Sequence, residues 1–184
     1  MGTVSNDSWN TYKIPHIGLK KAVHLFEFEL NEAFFSNFEH ALIRQCDIRV
    51  TVNFDKRQEP YILDFNFSGT VNTECDRCTA IFPLKINGDF TLYVKFTGDP
   101  MIQNEDESEV LLIGHEEQEI NLANYLYEFA HLSVPYQKIC DDPGKTEYCD
   151  KEVVRLLEKL NPEEEEPNAD PRWEELNKLK DNLN

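Results

Sequence analysis

Ile48-Arg49-Val50-Thr51-Val52-Asn53-Phe54 is followed, across the polar break Asp55 to Pro60, by Tyr61-Ile62-Leu63-Asp64-Phe65-Asn66-Phe67. In the first stretch Ile48, Val50, Val52 and Phe54 alternate with Asp47, Arg49, Thr51 and Asn53. In the second, Tyr61, Leu63, Phe65 and Phe67 alternate against Asp64, Asn66 and Ser68. A period of two puts all the apolar side chains on one face of a strand and the polar ones on the other. Two such strands in succession predict an antiparallel pair with one face on a core. Gly69 suggests a bulge or bend, with the strand resuming at Thr70-Val71.

The pattern extends in both directions. Upstream, Ala22 to Leu30 alternates through Phe26, Phe28 and Leu30, and Asn31 to Phe38 places Phe34, Phe35 and Phe38 at helical spacing. Downstream, Ile81 to Ile86 leads to Asn87-Gly88, a pair that favours the positive φ angles of a tight hairpin turn, and Phe90, Leu92, Val94 and Phe96 would form the return strand. Val110 to Ile113 reads as a further short strand. Beyond it the period changes to that of helices. Asn121 can cap a helix to about Leu132, with Leu122, Leu126, Phe129 and Leu132 along one face and Pro135 ending it. A second helix begins near Asp150 with Val153, Leu156, Leu157 and Leu160, and Asn161-Pro162 stops it. Pro171 opens a last short helix carrying Trp173, Leu176 and Leu179.

The expected fold class is therefore α+β: an antiparallel β-sheet body that could curl towards a barrel, followed by a helical, acidic C-terminal region. The corresponding boundaries are a disordered 1–13, a β-rich domain over 14–135, a cysteine-containing segment and helix over 136–160, and an acidic linker with a short helix over 161–184. The stretch 99–109 reads as an acidic loop.

Charge separates along the same boundaries. The 184 residues carry a net charge of -17. Residues 41–98 balance seven Lys/Arg against seven Asp/Glu, whereas residues 99–184 hold eight against 23. Nucleic-acid binding usually leans on a basic stripe, because phosphate contacts supply most of the affinity. No such stripe is visible here. The acidic third would repel RNA and attract a basic partner, or simply keep the protein soluble. No stretch has the roughly 18 apolar residues of a membrane span. The polar opening Met1 to Asp7 is unlike a secretory signal. A cytoplasmic location is the expectation.

Five cysteines, Cys46, Cys75, Cys78, Cys140 and Cys149, argue against a disulfide framework, being odd in number and without a signal peptide. Cys75 and Cys78 sit two residues apart at a turn between strands, where both sulfurs can face one ion as in a zinc knuckle. Cys140 and Cys149 bracket Asp142-Pro143-Gly144 at a looser spacing. Four thiolates would complete a tetrahedral, structural zinc site joining the body to the C-terminal third. Other readings stand beside this one. The thiols can be reduced and metal-free, His115 or His131 can replace a late cysteine, or the C-x2-C pair can be redox-active. The last favours a first cysteine at a helix N-terminus, which a turn between strands does not provide. His131 reads equally as a packed or surface histidine, and Cys46 as a small apolar residue. There is no phosphate-binding glycine loop, no G-x-S-x-G and no H-E-x-x-H.

In order, Thr73-Glu74-Cys75-Asp76-Arg77-Cys78, then Glu119-Ile120-Asn121-Leu122, Tyr127-Glu128, Leu132-Ser133-Val134-Pro135, Cys140 and finally Asp170-Pro171-Arg172-Trp173-Glu174-Glu175-Leu176 resemble the large ribosomal RNA subunit accumulation family, the YceD-like proteins. The resemblance implies a bacterial, cytosolic, non-enzymatic protein needed for normal accumulation of large-subunit ribosomal RNA, with metal and nucleic-acid binding as expected properties. Many relatives carry a denser run of cysteines after the position of Cys140 than this chain does. Under this reading Arg44, Arg49, Lys56, Arg57 and Arg77 would form an RNA face, or be ordinary surface charges. The acidic tail would engage a basic ribosomal protein. The alternative from another class is a thiol redox or metal-dependent enzyme using the C-x2-C pair.

Overall fold

The computed structural model describes residues 11–97, 109–140 and 147–160. The first described strand is the three-residue β1 (Lys13–Pro15), at the start of the expected β-rich domain, and the chain continues into β2 (Val23–Asn31). A single helical turn, α1 (Glu32–Phe35), comes next. Asn31 Oδ1 accepts the N–H groups of Ala33 and Phe34, capping donors that the helix itself cannot satisfy. The helix is shorter than the expected Asn31–Phe38. Phe38 lies beyond it and stacks on Tyr127 at 4.1 Å between ring centres.

The two quoted stretches become β3 (Cys46–Asp55) and β4 (Tyr61–Glu74), paired antiparallel with Val50 opposite Phe67 and Val52 opposite Phe65. Burial tracks the alternation: Ile48, Val50, Val52, Phe54, Leu63, Phe65 and Phe67 are all within 2% of complete burial. Each such side chain contributes about 1.5–3 kcal/mol by leaving water. The expected break at Gly69 does not occur. β4 runs through it in register, with Gly69 opposite Ile48. A side chain there would strike Asp47 O and come within 2.7 Å of Ile48 Cα, so the glycine serves close strand approach.

The hairpin expected at Asn87-Gly88 is also absent. β5 (Ile81–Thr97) is one strand of 17 residues, with Ser68 opposite Asn87 and Phe67 opposite Gly88. Gly88 faces inward, where a Cβ would collide with Ser133 Oγ. The residue is glycine because a helix end rests on it, not because the chain reverses there.

β6 (Val110–Gly114) joins β5 in parallel, the one departure from antiparallel pairing in the sheet. The strand order is β2-β3-β4-β5-β6, so the sheet is open with β2 and β6 at its edges and is not closed into a barrel. β7 (Glu119–Asn121) pairs with β1 in a separate two-stranded ribbon, and the N–H of Leu122 donates to Tyr12 O. That ribbon delivers the chain to α2 (Ala123–Leu132). Asn121 Oδ1 accepts the N–H of Ala123 at 3.0 Å, so the expected cap acts two residues before the helix begins.

α2 crosses the inner face of the sheet through Leu126, Phe129 and Ala130. Phe129 stacks on Phe90 at 4.5 Å and meets Phe65 and Phe67 edge-on. Leu132, expected on this face, is 68% exposed, and Ser133 takes the inward place against Gly88. The last described element is α3 (Lys151–Leu160), capped by Asp150 Oδ1 accepting from Glu152 N and Val153 N. The expected helix after Pro171, the linker before it, residues 99–108 of the acidic loop, and Asp142-Pro143-Gly144 lie outside the described residues. Among those described, no helix is long and apolar enough to cross a membrane.

Candidate metal centre

β4 and β5 are joined by Cys75–Ala80. The loop is closed by Cys75 N donating to Ala80 O and Thr79 N donating to Cys75 O, each at 2.9 Å. Thr79 sits at φ 58°, a left-handed conformation that a β-branched residue rarely adopts. This tight return turns both sulfurs inward, leaving Cys75 1% and Cys78 0% exposed.

After α2, Pro135 redirects the chain alongside this loop. Asp76 N donates to Lys138 O at 2.7 Å, and Lys138 N donates to Asp76 Oδ2 at 2.7 Å. Lys138 Nζ adds an ion pair with Asp76 at 3.9 Å. Arg77 Nη2 donates to Cys140 O at 3.1 Å. These bonds bring Cys140 between the first two cysteines. Its N–H donates to Cys75 Sγ at 3.4 Å, and its sulfur lies 3.5 Å from Cys78 Sγ.

The sulfurs of Cys75, Cys78 and Cys140 all lie within 4.8 Å of one another. A tetrahedral ion with Zn–S bonds of about 2.3 Å holds its sulfurs about 3.8 Å apart. A disulfide would require about 2.05 Å, and all five cysteines are free. The donor set therefore fits a thiophilic divalent cation. Cys149 is 8% exposed and belongs to the same buried cluster, although its sulfur falls outside the mutual 4.8 Å set. Val153 and Val154, from the first turn of α3, pack against the cluster together with Ala80, Leu84 and Ile139.

The electrostatics are those of thiols that share charge. Burial pushes Cys75 upward, but N–H donors from Cys140, Cys78 and Arg77, with the Cys140 side chain, outweigh it and lower the thiol to about 6. Cys140 moves the opposite way, raised first by burial and then by its bonds to Cys78, Cys75 and Cys149 and the charge on Cys75. The cluster thus favours the thiolate on Cys75 and the thiol on Cys140. A dication would stabilise the thiolate form of the sulfurs that hold it.

Cys46 lies apart. It is half-buried, donates to Leu30 O at 3.6 Å, and is raised to about 11 by burial and then by Asp47 and Glu32. His131 does not approach the sulfurs. Its Nδ1 meets Tyr127 O at 2.8 Å, and its Nε2 accepts from Leu42 N at 3.3 Å. His115 stacks on Phe96.

The five basic residues expected to make an RNA face do not form one patch of free cations: Lys56, Arg57 and Arg77 are held by local partners. Arg44 and Arg49 are exposed, the latter 3.9 Å from Glu29. Lys56 is buried, and its Nζ donates to His16 O and to Leu19 O, the second at 2.9 Å. Its charge is unavailable to a phosphate. Arg57 grips Asp55 with a 2.6 Å ion pair, which holds that carboxyl well below its usual range. Arg77 is half-buried against Cys140 O. On the polar face of the sheet, Asn66 donates to Asp89 and Thr91 donates to Asp64. Sequence reasoning missed the part of Asp76 and Lys138 in joining the two cysteine segments. No local pattern marks a bond across 62 residues.

Comparison with curated proteins and with solved structures yields no match. Residues 63–180 match the family model described as large ribosomal RNA subunit accumulation protein YceD. The match spans β4, β5 and α2 and takes in all four clustered cysteines. The chain therefore belongs to the YceD family of large ribosomal RNA subunit accumulation proteins.

Proposed function

We propose that this protein supports accumulation of large-subunit ribosomal RNA as a non-enzymatic assembly factor, and that its principal contact is with a basic ribosomal protein. The carrying observation is the disposition of charge on a chain of this family. Three of the five cations first assigned to an RNA face, Lys56, Arg57 and Arg77, are bound to internal carbonyls or a neighbouring carboxylate, while residues 99–184 hold 23 acids against eight bases. Such a field favours a cationic protein partner over phosphate. Of the five, Arg44 and Arg49 are exposed, the latter only loosely paired with Glu29 at 3.9 Å, and would serve any auxiliary RNA contact.

In this reading Cys75, Cys78, Cys140 and Cys149 hold a structural zinc ion, which supplies cross-linking rather than chemistry. Their burial supports that role, since a fully thiolate-ligated ion offers no open coordination position. Among the described residues, the concavity beside the cluster is lined by Phe82, Pro83, Leu84, Ile139, Tyr148 and the ligand candidate Cys140, with Lys85 and Glu147 as its charged groups. Its described lining is mainly apolar, which favours packing over the converging acid and base that general catalysis needs. The lowered thiol of Cys75 is what a redox enzyme would also want. Its 1% exposure and its place on a turn between strands favour the ligand role.

The test is a pull-down of ribosomal precursors by the full chain across a salt series. Recovery of a large-subunit protein at low salt, lost as salt rises, is the expected result. Absence of every large-subunit component at low salt would refute the proposal.

A further inference from the structure

We infer that the exposed leucine row of α3 is the seat of the chain's own C-terminal segment, residues 171–180. The first turn of α3 is accounted for, since Val153 and Val154 pack against the cysteine cluster. The next two turns are not. Leu156 is 56% exposed, Leu157 45% and Leu160 69%. Contiguous apolar surface on a helix marks a contact site. The same helix carries Lys151, Arg155 and Lys159 at four-residue intervals, a cationic stripe beside the leucines.

The segment C-terminal to α3 suits this surface. Residues 161–184 continue directly from Leu160, and within them Trp173, Leu176, Leu179 and Leu183 recur at intervals of three, three and four. That spacing gives a helix one apolar side. Residues 171–180 carry Glu174 and Glu175 alongside Arg172, Lys178 and Lys180, so apolar spacing rather than charge selects this segment. The stretch Asn161 to Asp170 can span up to roughly 30 Å, twice the about 15 Å length of a ten-residue helix, so the segment reaches any part of the row. Covalent attachment holds it at an effective concentration in the millimolar range, so even a weak contact outcompetes a second copy at micromolar protein. The family match extends to residue 180 and so covers Trp173, Leu176 and Leu179. This contact is intramolecular and stands whether or not the ribosomal reading holds.

The chain has two tryptophans, Trp9 and Trp173, so Trp9→Phe leaves Trp173 as the sole indole reporter. In that full-length background Trp173 emission is expected to be blue-shifted and protected from acrylamide, independently of protein concentration. Adding Leu156→Asp, Leu157→Asp and Leu160→Asp should move the emission to the red and raise quenching several-fold with unchanged sheet circular dichroism. Leu176→Asp with Leu179→Asp should reproduce the shift without touching α3. Three results would overturn the inference. Trp173 could be fully quenchable before any substitution, its protection could be unmoved by both sets of variants, or its protection could fade on dilution, which would assign the row to a second copy.

Discussion

The sulfurs of Cys78 and Cys140 stand 3.5 Å apart although 62 residues separate them in the chain. One belongs to the turn between β4 and β5 and the other to the segment leaving α2, so the contact ties the sheet to the C-terminal part of the chain. The hydrogen bonds around it are made by backbone groups and by Asp76, Arg77 and Lys138 rather than by the sulfurs alone. The cluster is therefore a built junction, and its components can be tested one at a time.

Asp76 is the simplest component to remove. Its carboxylate accepts the Lys138 N–H and faces Lys138 Nζ. Asp76→Ala is expected to cost about 1–2 kcal/mol, the value of a charge-assisted hydrogen bond with a partly exposed partner. Asp76→Asn, which keeps an acceptor, should recover most of it. Urea denaturation of the two variants checks this through the transition midpoint at unchanged slope.

Lys56 separates a structural cation from a binding one. Because its Nζ donates to the carbonyls of His16 and Leu19 inside the protein, Lys56→Ala should destabilise by about 2–3 kcal/mol through two unsatisfied acceptors. Arg44→Ala and Arg49→Ala should stay within about 0.5 kcal/mol of the parent, as exposed side chains do. Thermal unfolding of the three variants would distinguish them, and an unchanged Lys56→Ala midpoint would remove the structural role.

These contrasts mark how far the sequence alone could be read. The period-two rows at Ile48–Phe54 and Tyr61–Phe67 were legible because burial on one face of a strand writes itself into alternate positions. Gly88 was not, because Asn-Gly carries a strong local turn signal and nothing nearby announces the arrival of Ser133 from the end of α2. The burial of Lys56 was hidden for a related reason: its partners are backbone carbonyls, which every residue has. Parallel pairing of β6 leaves no trace in a five-residue apolar run. The cysteines could be counted and spaced in sequence, whereas the bonds from Asp76 and Arg77 that bring Cys140 to Cys75 and Cys78 are long-range facts of the fold.

Gly88→Ala tests the reassignment of that glycine. The added methyl would press on Ser133 Oγ and lie 2.8 Å from Phe90 Cε2. Overpacking of this kind costs about 1–3 kcal/mol. Combining it with Ser133→Ala should restore part of the loss, because the nearest obstructing atom is gone. Chemical denaturation of the two single variants and the double variant reads the non-additivity.

Cys46 gives the pH dependence. Its thiol is raised to about 11 by burial and by the neighbouring Asp47 and Glu32. In the unfolded chain the thiol ionises at its lower ordinary value, so its contribution to stability is intact below that value and is lost as pH rises through about 11. The native thiol should resist iodoacetamide at pH 8 and react readily once the chain is denatured. Mass-spectrometric mapping of alkylation at both conditions decides it, and prompt native labelling of Cys46 would count against the half-buried thiol held above its ordinary value.

The most direct single measurement is the metal content of the purified full chain, determined by elemental analysis beside Cys75→Ser. The account predicts about one zinc ion per chain in the parent and its loss in the variant, as four thiolates on one ion require. A parent free of metal, with Cys75 and Cys78 alkylated freely at neutral pH, would contradict the structural centre and return the C-x2-C pair to thiol chemistry.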